Sequence, residues 1–319
     1  MLHWALLFAV SFVLAAIAVS VVAKFNAKRN IVGVDINKRD QAMVPESTGV
    51  ALLPVLFAVS FLFLAKPLGG NIWAWLLTMA AFSCIGFAGD FSQRVLNREI
   101  PWNVRAIAIA IVSLAFAFFY SQEFDPWPVW MVLFSFYLAG IASFQNTFAG
   151  LNGWEVGSGF IISVFVALLL SPTRLFWPAV ALSGAILGLL FFNKFPARVF
   201  PGDSGTLLIG SAMASLLLMS QDIMIIVPGL LFFLPHAIDF YVIKLGTNRE
   251  DATQKKAKPY SVGFDGKLSV PGNGKSGLDF AKVIIRAFGP LEEWKIVAVI
   301  WFVAAANCAF WFYVFSGLV

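Results

Sequence analysis

Apolar stretches long enough to cross a membrane follow one another from Leu2 to Phe315, and only one lengthy polar region, Gly246 to Arg286, interrupts them. A helix spanning the hydrocarbon needs roughly 20 mostly apolar residues, because lipid cannot satisfy exposed backbone N–H and C=O groups. The pattern predicts an all-α, polytopic membrane helix bundle. Ten spans are expected, near Leu2–Val22, Thr48–Ala65, Ile72–Phe87, Val104–Tyr120, Trp127–Ser143, Ser158–Ser171, Leu175–Phe192, Thr206–Ser220, Ile223–Ile243 and Ile296–Phe315. Composition agrees, since 60% hydrophobic and 12% charged side chains lie outside soluble averages. One integral membrane domain covering residues 1–319 is expected, with residues 246–290 as a loop inserted in it.

The loops between these spans sort by parity. Of the 22 Lys and Arg, all but Lys66 and Arg174 fall on loops facing one side. By the positive-inside rule that side is cytoplasmic and both termini are outside. Leu2 to Val22 lacks the basic start and small-residue cleavage site of a signal peptide, so it is expected to stay as the first span. Cys84 and Cys308 both lie in apolar runs, which supports neither a disulfide framework nor a thiolate metal site. The net charge of +5 is not gathered into a basic soluble domain, so nucleic acid is not an expected partner. In the last cytoplasmic loop, Val262 to Val270 carries Asp265-Gly266 between β-prone flanks, a type I′ hairpin signal. Leu278 to Phe288 places Asp279, Lys282 and Arg286 on one face of an expected interfacial helix.

The outer loops are small, whereas the cytoplasmic ones hold the residues that can do chemistry. Asp203, in Arg198-Val199-Phe200-Pro201-Gly202-Asp203-Ser204-Gly205, precedes a span. It is either a helix cap or a hard-cation ligand acting with substrate phosphates. The segment from Asn146 to Gly159, with Asn152, Glu155 and four glycines, implies tight turns and amides placed for recognition. Asp90 ends the third span, followed by Arg94, Arg98 and Arg105. Arg105, Arg198 and Lys255, Lys256 and Lys258 supply positive charge suited to a polyphosphate or to anionic lipid. His236 and Asp239, three apart on a helix, are expected to hydrogen-bond each other.

In this order the segments resemble the polyprenyl-phosphate N-acetylhexosamine-1-phosphate transferases, glycosyltransferase family 4, and most closely their dolichyl-phosphate GlcNAc-1-phosphate branch. The resemblance rests on Pro45-Glu46-Ser47-Thr48-Gly49-Val50, on Asn146 with Asn152-Gly153-x-Glu155, on Pro196-x-Arg198-Val199-Phe200-x-Gly202-Asp203, and on Pro235-His236-x-Ile238-Asp239. It implies transfer of GlcNAc-1-phosphate from UDP-GlcNAc to a polyprenyl or dolichyl phosphate at the cytoplasmic face of a cell or endoplasmic-reticulum-type membrane. The products would be prenyl-diphosphate-GlcNAc and UMP, the first step of lipid-linked glycan assembly of the N-glycosylation kind. It further implies Mg²⁺, with Mn²⁺ as a substitute, on Asp203 and Asn146, and Asp90 and Asp203 as catalytic residues. Substrate would be bound by Asn152 (uracil), Glu155, Arg198, Arg105, Lys256, Lys258 and Glu46, and a homodimer is an expected assembly. The family's paired aspartates are Gly89-Asp90 here, which leaves one carboxylate missing. Two other readings stay open: a transporter or flippase of phosphate-bearing lipid, and a family member of impaired activity.

Overall fold

The computed structural model describes residues 3–38, 40–64, 71–245, 260–271 and 277–316. The protein is an all-helical bundle with two short antiparallel hairpins among the described residues. Helix α1 (Trp4–Lys28) leads into strands β1 (Val32–Val34) and β2 (Met43–Pro45), paired with Gly33 opposite Val44. A 3-10 turn, Thr48–Ala51, enters α2 (Leu52–Val59), which widens into a π-helical segment at Ser60–Leu64. Then come α3 (Asn71–Arg94), α4 (Trp102–Tyr120), α5 (Trp127–Thr147), α6 (Trp154–Leu169), α7 (Phe176–Asn193) and α8 (Gly202–Met219). Helices α9 (Ile223–Leu231) and α10 (Leu234–Ala237, continued by a π-helical segment at Ile238–Lys244) form a pair bent by 48°. After hairpin β3 (Ser261–Val262) and β4 (Leu268–Ser269) follow α11 (Phe280–Phe288) and α12 (Glu293–Ser316).

Seven described helices are long and apolar enough to cross a membrane, or eight if the bent pair is one span. The expected second and sixth spans are the shorter helices Thr48–Leu64 and Trp154–Leu169, so length does not bear out the count of ten. Irregular backbone precedes each: β2 ahead of the 3-10 turn that opens the second, and residues 148–153 before α6, which begins at Trp154 rather than at the expected Ser158.

Helix α8 is the centre of the bundle, with 89% of its apolar window buried, against 17% for α4 at the periphery. Small residues set that centre. A Cβ on Gly86 of α3 would lie 2.4 Å from the carbonyl of Asp203, and one on Gly49 would lie 2.2 Å from the Cα of Gly205. Such close backbone approach replaces the hydrophobic drive that lipid cannot supply between helices. At the bend between α9 and α10, Asn307 of α12 donates to the carbonyls of Leu231 (3.0 Å) and Phe232 (3.1 Å), satisfying groups released by the break. A second core, including Phe148, Trp154, Tyr260, Ile284 and Ile300, seats the β3–β4 hairpin and α11 against α6 and α12.

The hairpin forms as expected but not with a type I′ turn. Only Gly266 has positive φ (+78°), and Gly263 N–H donates to the Lys267 carbonyl (2.8 Å), which makes a longer loop closed by a glycine bulge. Helix α11 starts at the Asp279 cap, which accepts from Lys282 N–H at 2.8 Å, and Lys282 is buried rather than on a solvent face shared with Arg286.

Candidate active site

The first turn of α8 is the pivot. Pro201 stands at its N-cap and offers no side-chain acceptor, so the helix's leading N–H groups need partners from elsewhere. Asp90 of α3 supplies them. Its carboxylate accepts from the backbone N–H of Asp203 (3.2 Å) and of Ser204 (3.3 Å), and from the Ser47 hydroxyl (2.7 Å). The capping role considered for Asp203 therefore belongs to Asp90, 113 residues away. Gly202 permits the approach, because it has φ +67° and a Cβ there would lie 2.4 Å from Asp90 Oδ2.

Relieved of capping, the half-buried Asp203 carboxylate forms an ion pair with the Arg105 guanidinium at the start of α4. Gly89 leaves room for that guanidinium: a Cβ at residue 89 would lie 3.3 Å from Arg105 Cζ. Asn146 adds an amide from α5, its Oδ1 accepting from the Thr206 hydroxyl one turn into α8. Asn146 was expected in a loop and lies instead in the last turn of α5. Glu155, Gly157 and Gly159 likewise belong to α6. Those glycines serve packing rather than turns, since a Cβ on Gly157 would lie 2.2 Å from the Trp301 indole. Only residues 148–153 leave the helix, with Gly150 and Gly153 at positive φ.

A polar cavity of 170 Å³ adjoins this turn through Phe200 and is lined by Asp35, Asn37, Gly150, Asn152, Glu155 and Asn193, among others. The asparagine amides are oriented by their donors. Asn37 Nδ2 donates to the Gly150 carbonyl (3.1 Å), Asn152 Nδ2 to Asp35 Oδ2 (2.9 Å) and Asn193 Nδ2 to the Val199 carbonyl (3.0 Å). Asn37 Oδ1, Asn193 Oδ1 and Glu155 Oε2 are buried without a hydrogen bond among the described residues. Buried polar atoms usually have partners, so this concentration of open acceptors marks a place for a donor-bearing ligand or water. On the other flank, Arg105 and Asn146 share an apolar groove of 480 Å³ with Trp102, Ile109, Leu207 and Phe240.

Other expected residues are elsewhere engaged. Glu46 pairs with Arg94, whose second nitrogen reaches Glu46 Oε1 at 3.1 Å. Arg198 donates to the Phe191 carbonyl (3.1 Å) and stacks on Phe191 and Phe192, so its charge rests on the end of α7. Lys256 and Lys258 lie outside the described residues. The expected His236–Asp239 hydrogen bond is absent. Among the described residues both ring nitrogens of His236 lack a partner and the ring packs on Phe148, while Asp239 takes Lys244 (2.7 Å) and Phe280 N–H (2.8 Å). Sequence reasoning missed Asp35, Asn37, Asn193 and Glu293; the polar run Asp35-x-Asn37-Lys38 was the available signal for the first two.

Among the described residues no three of His, Cys, Asp and Glu gather as a metal cage. Mg²⁺ rarely uses one, being held by one or two carboxylates with waters and substrate phosphates. The half-buried Asp203 carboxylate and the Asn146 amide oxygen beside the same helix turn are a donor set of that kind.

Residues 72–221 match the model of Glycosyl transferase family 4. A Methanocaldococcus jannaschii protein, provisionally named a glycosyltransferase, is 30% identical over 301 residues, covering 91% of each chain. A Saccharolobus solfataricus protein, provisionally named a UDP-N-acetylglucosamine–dolichyl-phosphate N-acetylglucosaminephosphotransferase, is 26% identical over 92% of this chain and 90% of its own. The phospho-N-acetylmuramoyl-pentapeptide-transferase of Listeria innocua is 26% identical over 72% of this chain and 79% of its own. The matched region runs from α3 to the end of α8 and so contains Asp90, Arg105, Asn146, Asn152 and Asp203, and the archaeal likeness extends over nine-tenths of the sequence: the chain belongs to glycosyl transferase family 4.

Proposed function

We propose that the protein transfers GlcNAc-1-phosphate from UDP-GlcNAc to a dolichyl or other polyprenyl phosphate, releasing UMP and giving prenyl-diphosphate-GlcNAc. The observation that carries this reading is the meeting of three unlike surfaces at the start of α8. A polar cavity lies on one flank, an apolar groove on the other, and Asp203, Arg105 and Asn146 lie between. A nucleotide sugar and a lipid phosphate need such a pair of unlike binding surfaces.

In this reading the base enters the cavity against Phe200 and Asn152, with Glu155 beside it. The prenyl chain lies in the groove, its phosphate at Arg105. A phosphate monoester has a second pKa of about 6, so the lipid phosphate is already an ionised nucleophile near neutrality. One of its oxygens forms a bond to the sugar-bearing phosphorus while the bond from that phosphorus to the UMP oxygen breaks. Phosphoryl transfer rests mainly on positioning and charge neutralisation. Arg105 supplies fixed positive charge there; a divalent cation held by Asp203 and Asn146, Mg²⁺ or Mn²⁺, supplies further neutralisation when bound. The basic loops support a site at the cytoplasmic face, with both termini outside, in a cell or endoplasmic-reticulum-type membrane.

The broken α9–α10 pair is the feature that favours a transporter, since discontinuous helices build midplane sites. Asn307 occupies the freed carbonyls at that break, which favours a structural role. The test is to incubate purified, detergent-solubilised protein with Mg²⁺, UDP-GlcNAc and dolichyl phosphate and to identify the nucleotide by chromatography. UMP that disappears in Asp203→Ala supports the reading. UDP would mean glycosyl transfer without phosphate, and no nucleotide across several UDP-sugars and prenyl phosphates would return the weight to binding or transport.

A further inference from the structure

Glu293 opens α12, far in sequence from every motif above, and is 3% exposed. Its carboxylate has two partners on different segments. Oε1 accepts the backbone N–H of Asn152 at 2.7 Å, and Oε2 takes the Lys38 ammonium. Lys38 Nζ also stands 3.7 Å from Asp35 Oδ2, the atom that accepts Asn152 Nδ2 at 2.9 Å. The four residues close a ring: Glu293 to Asn152 to Asp35 to Lys38 and back. Lys38 is further held over the Phe195 ring, 4.3 Å from its centroid.

The ring borders the polar cavity unevenly. Asp35 and Asn152 line it, whereas Glu293 and Lys38 stand behind them. Glu293 thus does not meet a ligand but decides how Asn152 does. It fixes the Asn152 backbone directly, and through Lys38 it holds Asp35, which captures the amide nitrogen. With one amide hydrogen held by Asp35, Asn152 presents Oδ1, an acceptor, and its second N–H, a donor, in fixed directions. Free rotation of that amide would let its donor and acceptor exchange places and lose the distinction.

We propose that Glu293 is a positioning residue for recognition of the nucleotide base, acting through Asn152 and Lys38; this rests on the transferase reading. A residue that only held the bundle together would affect both substrates alike. A base-positioning residue affects the nucleotide sugar alone. The discriminating quantity is therefore the KM for UDP-GlcNAc set against the KM for dolichyl phosphate and against kcat.

The experiment compares wild type, Glu293→Ala and Glu293→Gln in the UMP-release assay, with thermal midpoints in detergent and stabilisation by added UMP measured alongside. Glutamine keeps an oxygen for the Asn152 N–H but not the charge facing Lys38. For Glu293→Ala the KM for UDP-GlcNAc is expected to rise about tenfold or more, the loss typical of a hydrogen bond to a charged group. The KM for dolichyl phosphate and kcat should stay within about twofold, and the stabilisation by UMP should be lost. Glu293→Gln should fall between the two. An unchanged KM for UDP-GlcNAc in both variants, with wild type active, overturns the inference alone. So does a parallel loss of both KM values and kcat that tracks the fall in thermal midpoint. No UMP from wild type overturns the transferase reading and this inference with it.

Discussion

Replacing Asp90 with alanine separates two roles for a residue that the sequence marks only as an acid at a span's end. The carboxylate accepts the N–H groups of Asp203 and Ser204 and the Ser47 hydroxyl, and Ser47 is fully buried. Losing an N-terminal helix acceptor costs about 1 kcal/mol. Leaving the buried Ser47 hydroxyl without its partner costs about 1–3 kcal/mol more. Together the loss is about 3 kcal/mol, which for a chain of 319 residues lowers the thermal midpoint by about 4–5 °C. The same change frees the turn that carries Asp203, and a displacement of about 1 Å in a reacting group can cost about 100-fold in rate. Stability and turnover should therefore fall together in Asp90→Ala, and about half as far in Asp90→Asn, which retains one acceptor oxygen. The assays are thermal unfolding in detergent and initial rates of UMP release. An unchanged midpoint with turnover abolished would refute the argument, because Asp90 would then act on the reacting atoms rather than on the helix.

Gly86→Ala forces a methyl to within 2.4 Å of the Asp203 carbonyl, so overpacking of about 1–3 kcal/mol and loss of UMP release are expected in the same two assays. Gly89→Asp places a carboxylate beside Arg105 and competes with Asp203 for it. Since a partly exposed ion pair is worth about 1 kcal/mol or less, the Mg²⁺ concentration for half-maximal rate should fall by up to about fivefold; a large jump in kcat would instead mark the natural chain as impaired. The Tyr260 hydroxyl is held well above its ordinary range by burial, and further by the Asp279 carboxylate that accepts its hydrogen bond at 2.9 Å. Its folded pKa is raised, so its contribution is present below the unfolded value of about 10 and is lost as pH rises beyond it. Alkaline unfolding followed by intrinsic fluorescence should show this loss in wild type and a shallower one in Tyr260→Phe.

The bundle was legible because membrane helices announce themselves by length and apolar content, and α1, α3, α4, α5 and α12 follow from that alone. Helix ends were harder. Asn146 was placed beyond its helix because amides suggest loops, yet α5 runs on to Thr147. Asp203 and Asn146 stood out as polar residues beside spans, with their metal role implied by the family resemblance, but the cap that Asp90 provides did not, since nothing in a sequence declares a hydrogen bond across 113 residues. Glu293 was invisible for the same reason. Beside Glu292 and Trp294 it reads as an ordinary interfacial acid, and its burial is decided by the loop it supports.

The ring through Asp35, Lys38, Asn152 and Glu293 also bears on how the protein is made. A chain emerging from the ribosome inserts α1 through α8, and with them Asp203, Asn146 and Arg105, before α12 is synthesised. The acid that pairs with Lys38 behind the cavity arrives 255 residues after its partner. A nascent chain can thus hold Asp203, Asn146 and Arg105 in the membrane while Asn152 still lacks the carboxylate that holds its backbone. If Glu293 positions Asn152 as proposed, competence to select a nucleotide is acquired only when α12 is inserted.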